Sequence, residues 1–218
     1  MRLPFKPQGV IFDLDGVLLD TMKYHFAAWE RAFREAGINV DRLVIYLREG
    51  EKGEVTTRSI MEKSGRHPSE VEVSQLLARK ERIFQDIARA ELFPGVRELL
   101  TSLWRKGYLL GLVTGTSRSE VEKILPQSLR EKFRVIITGD VLREGKPHPE
   151  PYLVALKGLG LSPDEVVVIE NAPNGIRSAK GAGLFCIALT TSLGAEYLQE
   201  ADMVFDSLWD ALQIVLED

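Results

Sequence analysis

Two aspartates one residue apart close the run "VIFDLD", at Asp13 and Asp15. Val10, Ile11 and Phe12 before them are β-prone and apolar, the composition of a buried strand. A carboxylate buried without a partner is costly, so a pair of them at a strand end calls for a cation, a reaction, or both. Other runs of the same kind end on chemistry-bearing residues. "YLLGLV" is followed by Thr114, Gly115 and Thr116, "RVIITG" leads into "REGKPHPEP" with Lys146, and "VVVI" runs into Glu170 and Asn171. Carboxylates, a hydroxyl-and-glycine turn, a lysine and further oxygen donors together suit a phosphate ester and Mg²⁺, which takes hard oxygen ligands. Asp13 can attack phosphorus to form an aspartyl-phosphate. Asp15 can protonate the leaving oxygen and later activate water. Thr114 and the backbone at Gly115 can hold phosphate oxygens, and Lys146 can neutralise a phosphoryl oxygen and a carboxylate together.

The elements that must position these residues follow from the same pattern. From about Phe93 onward, strand-like apolar runs alternate with helical stretches near Ser119–Leu125, Glu150–Leu159 and Gly175–Ala182, with a closing helix from Ser207. Continuous apolar strands separated by helices predict an α/β, Rossmann-like parallel sheet covered on both faces. Ligands of such sheets bind outside the carboxyl ends of the strands, where every residue named above falls. From Asp20 to about Glu91 the chain is polar, helical and strand-poor. Phe26, Trp29 and Phe33 share one helical face with Gly37 as a stop, a second helix covers about Val55–Lys63, and a third runs from about Ser69 to Ala90. The expected division is a core of residues 1–19 and 92–218, interrupted by an all-helical unit of residues 20–91. Asp20 reads as the N-cap of the first inserted helix.

Composition excludes several classes. The chain has 218 residues, 44% of them hydrophobic and 28% charged, and a net charge of −4, so no basic field invites nucleic acid or an anionic membrane. The longest apolar runs fall far short of the ~20 residues a membrane span needs. "MRLPFKPQ" lacks the apolar centre of a signal peptide, so a cytoplasmic protein is the expectation. Cys186 is the only cysteine, which rules out a disulfide within the chain, and inside "LFCIAL" it reads as a small buried hydrophobe. "GDVLREGKP" has five residues between its glycines and a proline after the lysine, so it is no Walker loop. His67 and His148 each precede a proline and read as loop residues.

Taken together, "DLDGVLLD", "VTGTS", "GKPHPEPY" and "VIENAPNGIRSAKGAG" resemble, in order and spacing, the four motifs of the haloacid dehalogenase-like phosphatase superfamily. The resemblance spans nearly the whole chain. It implies Asp13 as nucleophile, Asp15 as general acid/base, and Thr114 and Lys146 as phosphate holders. Asp13, the Asp15 carbonyl, Glu170 and Asn171 would surround Mg²⁺. An aspartate at position 15 favours phosphate transfer over dehalogenation, and the inserted helices would be the cap of this family. Close relatives carry Glu-Asp or Asp-Asp where this chain has Glu170-Asn171, so the site loses a charge and weaker Mg²⁺ binding is expected.

The segment "DTMKYHFAAW" resembles the start of the cap in β-phosphoglucomutases, which places His25 near the nucleophile, and Lys80 falls where those mutases contact substrate. The alternative for both is a solvated helix face. The mutase arginine that grips a second phosphate has no counterpart in "LREGEKGEVTTRS", where Arg48, Lys52 and Arg58 are the available substitutes. The expectation is an Mg²⁺-dependent phosphatase of a small phosphorylated metabolite, with a sugar phosphate as one class. A phosphohexose mutase is the alternative, and a non-catalytic phosphate-binding protein a third. The partner is the small molecule; the sequence leaves oligomeric state open, a monomer included.

Overall fold

The structure, a computed structural model, describes residues 2–216. Its strands are β1 (Gly9–Phe12), β2 (Leu109–Val113), β3 (Phe133–Ile137), β4 (Val166–Glu170), β5 (Phe185–Leu189) and β6 (Met203–Phe205). They form one parallel sheet in the order β3-β2-β1-β4-β5-β6. Between β1 and β2 come α1 (Met22–Glu35), α2 (Arg42–Tyr46), α3 (Gly53–Lys63), α4 (Glu70–Ile87) and α5 (Val96–Arg105). Then follow α6 (Arg118–Ile124), α7 (Gln127–Arg130), α8 (Glu150–Leu159), α9 (Pro173–Gly181) and α10 (Leu208–Leu216).

The pleat explains why the strands are apolar on both sides. Val10 and Phe12 of β1 pack into a core with α5 and α10, while Ile11 packs into a second core with α8 and α9. This is the doubly covered α/β sheet that the continuous apolar runs imply. Strand order reverses at β1, between β2 and β4, and a crevice opens there above the strand ends. Asp13 N–H extends the β1–β4 pairing by donating to Ile169 O at 3.0 Å, and Thr114 N–H does the same to Ile137 O at 3.0 Å. Both residues are therefore held by backbone bonds at the rim of the sheet.

Helices α1 to α4 bury a core of their own, which includes Trp29, Phe33, Ile45, Ile60 and Phe84. Phe26, read as part of the same face, packs at its edge. A reciprocal Ser69–Glu72 capping box starts α4. The helix α2 was not expected: five residues, mostly exposed, show too little periodicity to read. The insert joins the sheet through two chain segments lying side by side. Asp20 N–H donates to Glu91 O at 2.8 Å and Phe93 N–H to Leu18 O at 3.0 Å. Asp20 is not the helix cap that the sequence suggested. Thr21 holds the N-cap position, and the Asp20 carboxylate instead takes Lys23 Nζ at 2.6 Å. Among the described residues, no helix is long and apolar enough to cross a membrane.

Candidate active site

Asp13 and Asp15 stand above β1, 4% and 2% exposed, and each is fixed by a different set of partners. Lys146 Nζ donates to Asp13 Oδ1 at 2.6 Å, to Glu170 Oε1 at 2.6 Å and to Val113 O at 3.2 Å. It also lies 5.3 Å from the centre of the Tyr152 ring. Tyr152 OH donates to Glu170 Oε1 at 2.6 Å, and the Asn171 N–H donates to Glu170 Oε2 at 3.0 Å. Glu170 Oε1 is thus taken up by Lys146 and Tyr152, while Oε2 accepts only the Asn171 N–H and keeps capacity for a further partner. Gly175 leaves room for the Glu170 side chain, since a Cβ at that position would lie 1.9 Å from Glu170 Oε1.

Asp15 is held by hydroxyls. Thr116 Oγ1 donates to Asp15 Oδ2 at 2.7 Å and Thr21 Oγ1 to Asp15 Oδ1 at 2.5 Å. Thr114 Oγ1 stands further off, 3.4 Å from Oδ2, and accepts the Thr116 N–H at 3.0 Å. Thr21 makes no side-chain cap bond to its own helix; its hydroxyl serves Asp15 instead. One helical turn on, on the same face, His25 Nε2 lies 3.2 Å from Asp15 Oδ1. Lys80 Nζ, 3.3 Å from His25 Nδ1, has only donors to offer. His25 therefore accepts at Nδ1 and carries its proton on Nε2, which faces Asp15 Oδ1 without closing a hydrogen bond to it. Phe84 stacks on the imidazole at 4.1 Å, and Lys80 sits over the Trp29 and Phe84 rings. Both residues are buried, so neither belongs to a solvated helix face.

These environments push the two aspartates in opposite directions. Burial drives the Asp13 carboxyl well above its usual range; Lys146 opposes this, and the charges of Glu170 and Asp15 add to it. Burial also works to raise Asp15, but the attraction of His25 and the bonds from Thr21 and Thr116 outweigh it and hold the carboxyl below its usual range. Lys146 is held above its ordinary value, because Asp13 and Glu170 outweigh the burial that would lower it.

Two buried oxygens point to a cation. Asp13 Oδ2 and Asn171 Oδ1 have no hydrogen-bond partner among the described residues. Asn171 is wholly buried, and its Nδ2 donates to Ser192 Oγ at 2.9 Å, which leaves the amide oxygen as its unused group. Gly16, at φ +87°, lets the chain turn directly after Asp15, and a Cβ there would lie 2.0 Å from Asn171 Nδ2. Carboxylate and amide oxygens of this kind are the donors Mg²⁺ takes, so the residues fit that ion.

Above the sheet, the insert closes a cavity of about 360 Å³, in the range of small-molecule sites. Its walls include His25, Trp29, Lys80, Thr114, Gly115 and Lys146. The segment after α2 seals one side. Gly50, at φ +82°, passes so close to Lys146 that a Cβ would lie 2.7 Å from its Cδ. Lys52 Nζ donates to Leu142 O at 3.0 Å and also to Arg143 O. Asn174 Nδ2 reaches Leu47 O and Glu51 Oε1, each at 3.3 Å. The cap cations considered as substitutes for the mutase arginine are already engaged. Arg48 pairs with Glu51 at 2.7 Å and donates to Ser59, Lys52 holds the two carbonyls, and Arg58 pairs with Glu70 at 2.6 Å.

The structure brings Asp13, Asp15, Thr114, Gly115, Lys146, Glu170, Asn171, His25 and Lys80 to one rim. Sequence reasoning named Thr116 at the end of β2 without giving it a role of its own, and missed Thr21, Tyr152 and Ser192. Tyr152 stood inside "HPEPY", at the start of α8, and could have been marked as a donor beside Lys146; Thr21 and Ser192 carried no such signal.

A doubly wound sheet with paired aspartates at its switch point and a helical insert over them defines a hydrolase of the haloacid dehalogenase type. The chain belongs to the haloacid dehalogenase-like hydrolases, whose family profile matches residues 10–189. It is 33% identical over 199 residues to a validoxylamine A 7'-phosphate phosphatase of Streptomyces hygroscopicus subsp. limoneus, covering 91% of this chain and 92% of the relative. It is 31% identical over 221 residues to a β-phosphoglucomutase of Bacillus subtilis, covering 95% and 97%. A crystal structure of β-phosphoglucomutase from Clostridium difficile superposes with a TM-score of 0.83 at 27% identity, over 97% of this chain and 98% of that one. The chain is therefore an enzyme of this family, in its β-phosphoglucomutase-like branch.

Proposed function

We propose that this enzyme is an Mg²⁺-dependent phosphatase that hydrolyses a small phosphorylated metabolite, of the sugar-phosphate class, through a phosphorylated Asp13. The observation that carries the reading is the separate fixing of the two aspartates. Lys146 holds one oxygen of Asp13, while hydroxyls and His25 hold Asp15 as a carboxylate. The proton that burial favours on Asp13 passes to Asp15 as substrate enters; the freed Asp13 carboxylate attacks phosphorus, and Asp15 gives that proton to the departing alcohol oxygen. Water then attacks phosphorus of the acyl phosphate while Asp15 takes its proton, which restores Asp13 and releases phosphate. Thr114, the Gly115 amide and Lys146 hold the phosphoryl oxygens through both steps. Asp13, the Asp15 carbonyl, Asn171 and Glu170 would hold Mg²⁺, Glu170 through Oε2 while its Oε1 anchors Lys146. When bound, the ion offsets charge on the phosphoryl group and keeps it in line with Asp13. The insert of residues 20–91 serves as a cap that excludes bulk water.

A mutase reading has one observation in its favour: the His25–Lys80 pair facing Asp15, together with the similarity to named phosphoglucomutases. Against it, a mutase must also grip a second phosphate, and the cap cations Arg48, Lys52 and Arg58 are already paired. The deciding experiment incubates the protein with Mg²⁺, β-glucose 1-phosphate and a trace of glucose 1,6-bisphosphate, with p-nitrophenyl phosphate in parallel. Free phosphate as the main product supports the phosphatase. Glucose 6-phosphate forming far faster than free phosphate would make the mutase the answer. The parallel reaction, run with and without a chelator, tests Mg²⁺ dependence.

A further inference from the structure

The cavity lining carries several carboxylates, beside Lys52 and Lys80, and one of them is left unsatisfied. Glu120, in the first turn of α6, is only 8% exposed and lines the cavity. Its Oε2 accepts from Ser117 Oγ at 3.1 Å, whereas its Oε1 has no hydrogen-bond partner among the described residues. Glu81 of α4 and Glu54 at the start of α3 line the same wall. Partial burial, and next the charge of Glu120, raise the Glu81 carboxyl above its usual range. Glu49, also on the cavity wall, adds a further carboxylate nearer His25. Burying a carboxylate oxygen without a donor is unfavourable, and crowding like charges around it compounds the cost. A hydroxyl would supply the missing hydrogen bond; a cation would supply it and offset the crowding as well.

We propose that the Glu120, Glu81 and Glu54 wall binds an ammonium group on the alcohol half of the substrate, so that the enzyme selects phosphate monoesters of amino sugars or amino alcohols. This inference rests on the phosphatase reading and narrows its substrate class. With the phosphoryl group beside Asp13 and Lys146, the alcohol half extends into the cavity between core and insert. Glu120 approaches it from the core side, and Glu81 and Glu54 from the insert.

The test compares kcat/KM in matched pairs at saturating Mg²⁺ and neutral pH. Glucosamine 6-phosphate is set against glucose 6-phosphate, and O-phosphoethanolamine against glycerol 3-phosphate. A charge-assisted hydrogen bond made to one member only predicts a preference of about tenfold or more for the amine in at least one pair. Glu120→Gln should bring that ratio towards one, and Glu81→Gln should reduce it. A ratio within one preparation is unaffected by how much of a variant folds. No amine preference in either pair, or the same preference in both variants, overturns the inference while phosphate release from p-nitrophenyl phosphate leaves the phosphatase reading standing. If p-nitrophenyl phosphate is also inert, the phosphatase reading fails and takes the inference with it.

Discussion

Glu170 Oε1 and Lys146 Nζ lie 2.6 Å apart with neither side chain reaching solvent, and that ion pair aims the lysine at Asp13. The amine bridges two carboxylates, and Tyr152 OH satisfies the same Glu170 oxygen. Removing one partner of a buried pair leaves the other charge uncompensated, at about 3–5 kcal/mol. Glu170→Ala is expected to lose stability near the lower end of that range, since Lys146 keeps Asp13, and to lose at least ~10-fold in kcat as the lysine shifts. Urea unfolding and steady-state kinetics check both. A stability change below about 1 kcal/mol would mean that Glu170 does not hold Lys146.

Asn171 offers an oxygen without a charge. Replacing it with aspartate adds a carboxylate in a partly dry site, where a charge counts for more than in bulk water. Ser192, now the acceptor of the Asn171 amide, can turn its hydroxyl to donate to the new carboxylate. Asn171→Asp is expected to lower the Mg²⁺ concentration for half-maximal activity by roughly tenfold. An unchanged or higher value would place residue 171 away from the ion.

Gly16 tests the same region through the backbone. At φ +87° an alanine is strained, and its Cβ would fall 2.0 Å from Asn171 Nδ2. Gly16→Ala should cost about 1–3 kcal/mol and weaken Mg²⁺ binding by displacing the amide. Thermal denaturation with and without Mg²⁺ separates the two effects. A variant with the parent's Mg²⁺-induced gain in melting temperature would show that Asn171 had not moved from a metal.

Cys186 is wholly buried in β5, and burial pushes its thiol well above the ordinary value, with the charges of Glu170 and Asp202 adding to the shift. A raised folded pKa means the thiol stays protonated in the folded state. Its contribution to stability is full below ~8.5 and declines as pH rises past the unfolded value. Alkylation at pH 8 should therefore follow unfolding, with labelling rising through the urea transition. Rapid labelling of the native protein would contradict this.

Much of the sheet was legible because each buried strand is a continuous run such as "VVVI", and a strand end predicts where its next side chain goes. Asp13, Asp15 and Thr114 were placed at the rim in that way, and Lys146 through the loop that follows β3. The helix α2 was missed because "RLVIY" is as apolar as a strand and too short for a helical period. Asp20 was misread because its role depends on Lys23 and the neighbouring chain at Glu91, and Thr21 was overlooked because its hydroxyl leaves its own helix for Asp15. The engagement of Lys52 by the Leu142 and Arg143 carbonyls is tertiary, so no local pattern reports it, whereas Arg48 and Glu51 stand three residues apart and their pairing was open to a local reading. Partners that orient a reacting group are chosen by the fold, and only their chemical type is visible in the chain.

Asp13→Asn should retain the folded signal in circular dichroism and lose turnover, because the amide is a poor phosphoryl acceptor. That loss alone does not separate covalent transfer from direct attack by water. The stereochemistry at phosphorus does, since each in-line displacement inverts configuration. Hydrolysis of a thiophosphate monoester made chiral with oxygen isotopes, run in isotopically labelled water with Mg²⁺, is the most direct measurement. Transfer to Asp13 and then to water predicts net retention at phosphorus. Net inversion would contradict the account and assign Asp13 a role other than nucleophile.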